Sequence, residues 1–230
     1  MSTLRDKIFR KADRTKFFNH AFLPIGNITS EDTPKGRFYT TPSGVFPSVT
    51  TVLGRYFNKE ASLDKWRQKV GYENAARITY QAGVRGTSLH NICERYLRNE
   101  QDYVGGEMPV NESTFKTIQP YLDEHVGDIY GIELPLYSKF YKTAGRCDLL
   151  GIYNEQLSIV DFKTSLKVKK EEWIESYFCQ ETIYALMVEE LYGIKVPQIV
   201  TLMAVDNNPP QVFVKDKDQF MEKVFEIFLL

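Results

Sequence analysis

The sequence predicts an α/β protein: a mixed central sheet flanked by helices, preceded by a mostly helical N-terminal region. Three observations carry this. Apolar residues recur at helical spacing through most of residues 48–126. From Ile129 the period changes to two through IYGIELPLYSKFY, AGRCDLLGIY and QLSIVDFKT. A long amphipathic stretch then separates those segments from a further apolar run, PQIVTLMAV, which places helices against a sheet.

The bulk properties bound the class. A chain of 230 residues suits one domain with a sizeable core, and 43% hydrophobic with 26% charged residues is the balance of an ordinary soluble globule. The formal net charge of -1 gives no global pull toward nucleic acid, so any such binding must rest on local patches. No apolar run approaches the ~20 residues of a membrane-spanning helix. The basic start MSTLRDKIFRKADRTKFF lacks the apolar core of a signal peptide, and Asp6 and Asp13 argue against a transit peptide, so an intracellular location is expected. Cys93, Cys147 and Cys179 form no CxxC pair and are too few for a four-cysteine iron-sulfur site; they read as small core residues.

Element by element, residues 26–47 concentrate the turn signals and read as a loop and small hairpin with Arg37 to Thr40 as one arm. Ser48 is the expected N-cap of a short helix through Leu53. Residues 59–99 read as a helix to about Gln81, a break at Gly83 to Gly86, and a second helix from Thr87; another helix covers residues 113–126. Three antiparallel strands, a helix over residues 172–192, the strand PQIVTLMAV, a turn, the short strand QVFVK and a closing helix complete the chain. No linker cuts it, so residues 1–230 are expected to form a single domain, 1–127 mostly helical and 128–230 holding the sheet.

The hairpin AGRCDLLGIYNEQLSIVDFKTS carries two aspartates and a lysine among residues that otherwise read as buried strand. Any loop of even length centred on Asn154 and Glu155 sets Leu150 against Ile159, Ile152 against Leu157 and Asp148 against Asp161, with the two carboxylates' Cβ atoms ~5 Å apart. Lys163 joins the same face. Asn-Glu is a poor type I′ turn, which makes a longer loop of residues 153–156 an alternative with the same pairing. Three arrangements relieve the repulsion: one protonated carboxylate, a bridge through Lys163 or an arginine, or a divalent cation. Hard carboxylate oxygens on rigid strands suit Mg²⁺ or Mn²⁺, and a cation with a lysine beside it suits phosphodiester hydrolysis.

These residues resemble the core of the PD-(D/E)xK nucleases, in which an acid on one strand precedes D/E-x-K on the next: Asp148, then Asp161-Phe162-Lys163. GTSLHNICERYL is similar to the G-x-x-x-H…E helix of the RecB-like branch, with His90 at the histidine position and Glu94 one turn on. QETIYALM is similar to that branch's Q-x-x-x-Y, with Gln180 and Tyr184. GVFPSVTTVLGRYFN, upstream, resembles the arrangement in mitochondrial genome maintenance exonucleases and related bacteriophage exonucleases, so the likeness covers roughly residues 40–206.

The resemblance implies a restriction-endonuclease-like core and a metal-dependent DNA exonuclease acting on single-stranded DNA ends, in replication, repair or recombination and beside other proteins of those processes. A structure-selective endonuclease or junction resolvase, and a catalytically inactive nucleic-acid-binding module, are the alternatives. It implies Mg²⁺ or Mn²⁺ on His90, Asp148, Asp161 and the Phe162 carbonyl, with Lys163 assisting the attacking water. Glu133, one strand earlier, is either a water-mediated holder of a second metal or an exposed strand acid. Gln180 and Tyr184 would position the strand. Thr164 and Ser165 offer hydroxyls to phosphate or cap the strand end. Arg85, read as standing ahead of a helix start, is a candidate phosphate grip. Lys167, Lys169 and Lys170, followed by Glu171 and Glu172, read as a solvated charged loop. No iron-sulfur cluster and no membrane contact are expected, and the cytoplasm of a bacterium or phage-infected host is expected before a mitochondrion.

Overall fold

A computed structural model describes residues 14–229, so Asp6 and Asp13 of the basic start lie outside the described residues. A five-stranded mixed sheet forms the centre: β4 (Val126–Ser138), β5 (Thr143–Tyr153), β6 (Gln156–Ser165), β7 (Gln198–Val205) and β8 (Gln211–Asp216), in that spatial order. All neighbours are antiparallel except β6 and β7. Parallel neighbours need a crossover, which is supplied by the helix Glu175–Tyr192.

Ahead of the sheet come a small antiparallel sheet, β1 (Thr29–Thr33), β2 (Gly36–Thr41) and β3 (Gly44–Pro47), and four helices, α1 (Val49–Tyr56), α2 (Lys59–Val70), α3 (Tyr72–Leu97) and α4 (Pro109–His125). The crossover is α5, and α6 (Met221–Leu229) closes the described chain. Ser48 caps α1 as its residue type predicts, its hydroxyl accepting from the Thr51 N–H at 3.0 Å. The N-terminal part is therefore helical with a three-stranded sheet where a single hairpin was expected. That sheet is tied to β5, where the Thr143 hydroxyl donates to the Pro47 carbonyl at 2.9 Å.

Two buried layers enclose the central sheet. One holds Leu150, Ile159 and Ile199 against Phe178, Ile183 and Met187 of α5, with α1 and α6 alongside. The other holds Leu149, Val160 and Val200 against Leu89 and Ile92 of α3 and Phe115 and Ile118 of α4. Alternate residues of each strand thus serve opposite layers, which is why these strands read as nearly continuous apolar runs.

One expectation is corrected, and one open alternative is decided. The helix break falls at Gly71, whose φ of 85° suits glycine, whereas Gly83 and Gly86 lie inside the continuous α3. Glycine costs a helix interior only about 1 kcal/mol, and 26 residues packed on the core absorb two of them. The hairpin loop has two residues, and Asn154 and Glu155 both take positive φ, 49° and 64°, as a type I′ turn requires. The ladder on either side holds a poor turn sequence in place.

Candidate active site

The predicted register is met as far as Leu149 opposite Val160, with Leu150 against Ile159 and Ile152 against Leu157. Pairing stops there. One step on, Asp148 Oδ2 accepts the Phe162 N–H at 2.8 Å in place of a further ladder contact. On its other side, Ile132 opposes Leu149 and Leu134 opposes Cys147, so Glu133 stands across from Asp148. Glu133, Asp148 and Asp161 therefore come from three neighbouring strands, with only Glu133 directly opposite Asp148. Glu133 has φ of 50°, a left-handed conformation uncommon for a residue with a Cβ, and strain of this kind persists only where surrounding structure over-determines it.

Helix α3 brings His90 to this group. Its Nδ1 lies 3.3 Å from Asp148 Oδ1, and donor atoms of His90, Glu133 and Asp148 all fall within 4.8 Å of one another. Asp161 faces the other way, toward α5: its Oδ2 meets Lys163 Nζ and its Oδ1 accepts from Gln180 Nε2 at 3.1 Å. The tightest group of donors thus includes Glu133 and leaves Asp161 one strand away. Two carboxylates and an imidazole, held by sheet and helix, are a donor set that Mg²⁺ or Mn²⁺ accepts. Within a strand the N–H and C=O of one residue point the same way, so the Phe162 carbonyl also turns toward β5.

Burial and charge set the protonation of these groups. Burial opposes a charged His90, but Asp148 overrides it and lifts the imidazole to about 9. Burial also penalises the Asp148 carboxylate, and His90 more than offsets this, so Asp148 stays below its usual range. Burial, with Asp148 adding to it, pushes Glu133 up to about 7. Asp161 is raised to about 6, chiefly by burial and against the pull of Lys163. Burial disfavours charge on Lys163, yet Asp161 and Asp148 together raise it, so it stays an ammonium.

The remaining predicted residues divide. Tyr184 is buried with its ring against β5, where a Cβ on Gly145 would lie 2.6 Å from its Cε1; it shapes the wall and does not face solvent. Of the two roles open to Ser165, the strand-end cap is the one formed: its hydroxyl donates to the Lys167 carbonyl at 2.6 Å and accepts the Lys167 N–H at 3.3 Å. Thr164 is half-buried beside Ala204. The expected place of Arg85 ahead of a helix start is corrected: it lies in mid-helix, away from free N–H groups, and its guanidinium is 4.0 Å from Asp206 in a groove of about 830 Å³ between α3, α4 and the end of β7. Glu94 pairs with Arg98 at 2.9 Å, so Asp148 and not Glu94 orients His90.

Two residues escaped the sequence reading. Arg146, 3.8 Å from Glu133 and half-exposed, shares the Asp148 face of β5, and counting by two from Asp148 finds it. Glu181, beside Gln180 on α5, is fully buried. Its Oε1 accepts from the Thr201 hydroxyl, its Oε2 has no hydrogen-bond partner among the described residues, and burial, then Asp161, pushes it well above the carboxylate range. Its position in an otherwise apolar helix face was the available signal.

No family model matches the chain. Among curated proteins it is similar to Mitochondrial genome maintenance exonuclease 1 of Mus musculus, at 27% identity over 129 residues, which is 54% of this chain and 38% of that protein. The Homo sapiens protein of the same name is 23% identical over 169 residues, 68% of this chain and 48% of that protein. The chain thus spans less than half the length of these curated relatives. Among solved structures, a Eubacterium rectale protein named "Putative exonuclease" superimposes with a TM-score of 0.43 at 12% identity, over 63% of each chain. The sequence matches relate the chain to nucleases.

Proposed function

We propose that the chain is a Mg²⁺- or Mn²⁺-dependent exonuclease of the PD-(D/E)xK class, RecB-like branch, hydrolysing DNA from single-stranded ends in replication, repair or recombination. The observation that carries this reading is the convergence of His90, Glu133 and Asp148 next to the Asp161–Lys163 pair, from three neighbouring strands and one helix. The sequence similarity to two exonucleases supports it. In this reading residues 1–230 act as one nuclease unit, 1–127 contributing His90 and 128–230 the sheet and the Gln180 helix. No helix among the described residues is long and apolar enough to cross a membrane, and a bacterial or phage-infected cytoplasm is the proposed setting.

The donors fit a hard divalent ion: His90 and Asp148 would hold it, with Glu133, Asp161 and the Phe162 carbonyl as further ligands, and it would supply Lewis-acid polarisation of the scissile phosphate. The chain's own groups do the rest. Gln180 fixes one Asp161 oxygen, which leaves the other to hold the Lys163 ammonium at the end of β6. A partly buried ammonium so placed would orient the attacking water and stabilise charge developing on the phosphoryl oxygens, an effect enlarged by low local polarity. Asp148, fixed by the Phe162 N–H, keeps His90 in position.

The test is cleavage by single variants. Asp161→Asn and Lys163→Gln are expected to lose about 100-fold or more in rate, the scale of removing one positioned electrostatic group, with circular dichroism and single-strand binding retained. Near-normal cleavage in either would remove the assignment.

A further inference from the structure

We infer that residues 166–173, the loop after β6, form a track that stacks unpaired bases and grips phosphates of a single DNA strand next to the cleavage site; this rests on the nuclease reading above. The loop leaves β6 just past Lys163 and returns to it, because the Tyr177 ring at the start of α5 lies 5.1 Å from Lys163 Nζ. Trp173, four residues before Tyr177, therefore sits within about 14 Å of it along the chain.

The loop is held in shape. The Ser165 hydroxyl bonds both the carbonyl and the N–H of Lys167, and Gln211 of β8 accepts the Lys169 N–H at 2.7 Å and donates to the Lys169 carbonyl at 2.8 Å. Yet it keeps apolar side chains in water: Leu166 is 51%, Val168 52% and Trp173 62% exposed. A tethered loop that presents an indole and two aliphatic side chains to solvent is shaped for contact with something else.

Its charges say what. The acids of the run are already matched, Glu171 with Lys215 at 2.6 Å and Glu172 with Lys170 at 3.6 Å, while Lys170 sits over the Trp173 ring at 5.4 Å. Among the described residues no acid lies within ion-pair distance of Lys167 or Lys169. Two uncompensated ammonium groups and a largely exposed indole, alongside the proposed phosphodiester-cleaving site, match a polyanion with stackable faces. The loop that sequence alone read as merely solvated thereby acquires a ligand.

The chain has two tryptophans, so Trp66→Phe leaves Trp173 as the sole tryptophan, excited selectively at the red edge where tyrosine does not absorb. Titrated with oligo(dT) in EDTA, which protects the strand from cleavage, this variant is expected to show saturable quenching of Trp173 emission. Trp173→Ala should weaken binding about tenfold, within the range for one lost base stack. Lys167→Ala with Lys169→Ala should flatten the slope of log affinity against log salt by about 1.4, the share of two phosphate contacts on a single strand. Unchanged Trp173 emission and unchanged affinities, in a protein that still binds and cuts single strands, would overturn the track and leave the face to a protein partner. A protein that neither binds oligo(dT) nor cuts DNA with Mg²⁺ would overturn the nuclease reading, and the track with it.

Discussion

Asp148 receives an imidazole, a peptide N–H and a facing carboxylate at once, which a structural salt bridge does not need. Its effect on His90 has a measurable sign. A histidine raised from 6.5 to about 9 binds its proton more tightly folded than unfolded, so its contribution to stability is complete below pH 6.5 and is lost as pH rises through about 9. The cation-free protein should therefore lose melting temperature across that window, and His90→Gln should flatten this limb. Mg²⁺ needs the neutral imidazole, so the thermal shift on adding it should grow from pH 6.5 to 9; a shift that shrinks would place the ion elsewhere. At this scale the sequence reading singled out His90, Asp148, Asp161, Lys163 and Gln180, which the fold brings near one another. It undervalued Glu133, whose position opposite Asp148 depends on a register no hairpin count could supply, since irregular pairing early in β4 shifts it. It missed Glu181 because a lone acid in a helix reads as solvated until its neighbours are known.

Among the elements, α3 shows where local signals mislead. Gly83 and Gly86 looked like a break, and only packing shows that the helix runs through them. A Cβ at Gly83 would meet nothing within 4 Å, so Gly83→Ala should stabilise the protein by roughly 0.5–1 kcal/mol in chemical denaturation; destabilisation would mean the helix is interrupted after all. Gly145 makes the opposite prediction. Its added Cβ would collide with the buried Tyr184 ring, so Gly145→Ala should cost about 1–3 kcal/mol, and cleavage should fall with it if Tyr184 shapes the site wall. The strands of the central sheet were legible, because period-two patterning and the fixed sum across a hairpin depend on backbone geometry alone, whereas the small N-terminal sheet was read only as one hairpin. The two-residue turn was not, because the ladder overrides the turn preference of Asn-Glu.

For the whole molecule, the net charge of -1 means that any strand binding must come from local groups such as Lys163, Arg146 and the proposed 166–173 track. Affinity for single strands should therefore fall steeply with salt, and salt-insensitive binding would exclude a phosphate-gripping surface. The mixed sheet between two helical layers followed from the order of patterns, whereas the placing of a small sheet and α1 against β5 required contacts distant in sequence. The most direct measurement is digestion of 5′-labelled linear, 3′-labelled linear and circular single-stranded DNA, with Mg²⁺ and with EDTA, by the full chain and by Asp148→Asn. A metal-dependent exonuclease shortens both linear substrates from one end, spares the circle, and does neither in EDTA nor with Asp148→Asn. A cut circle, or cleavage that survives EDTA or Asp148→Asn, would contradict it.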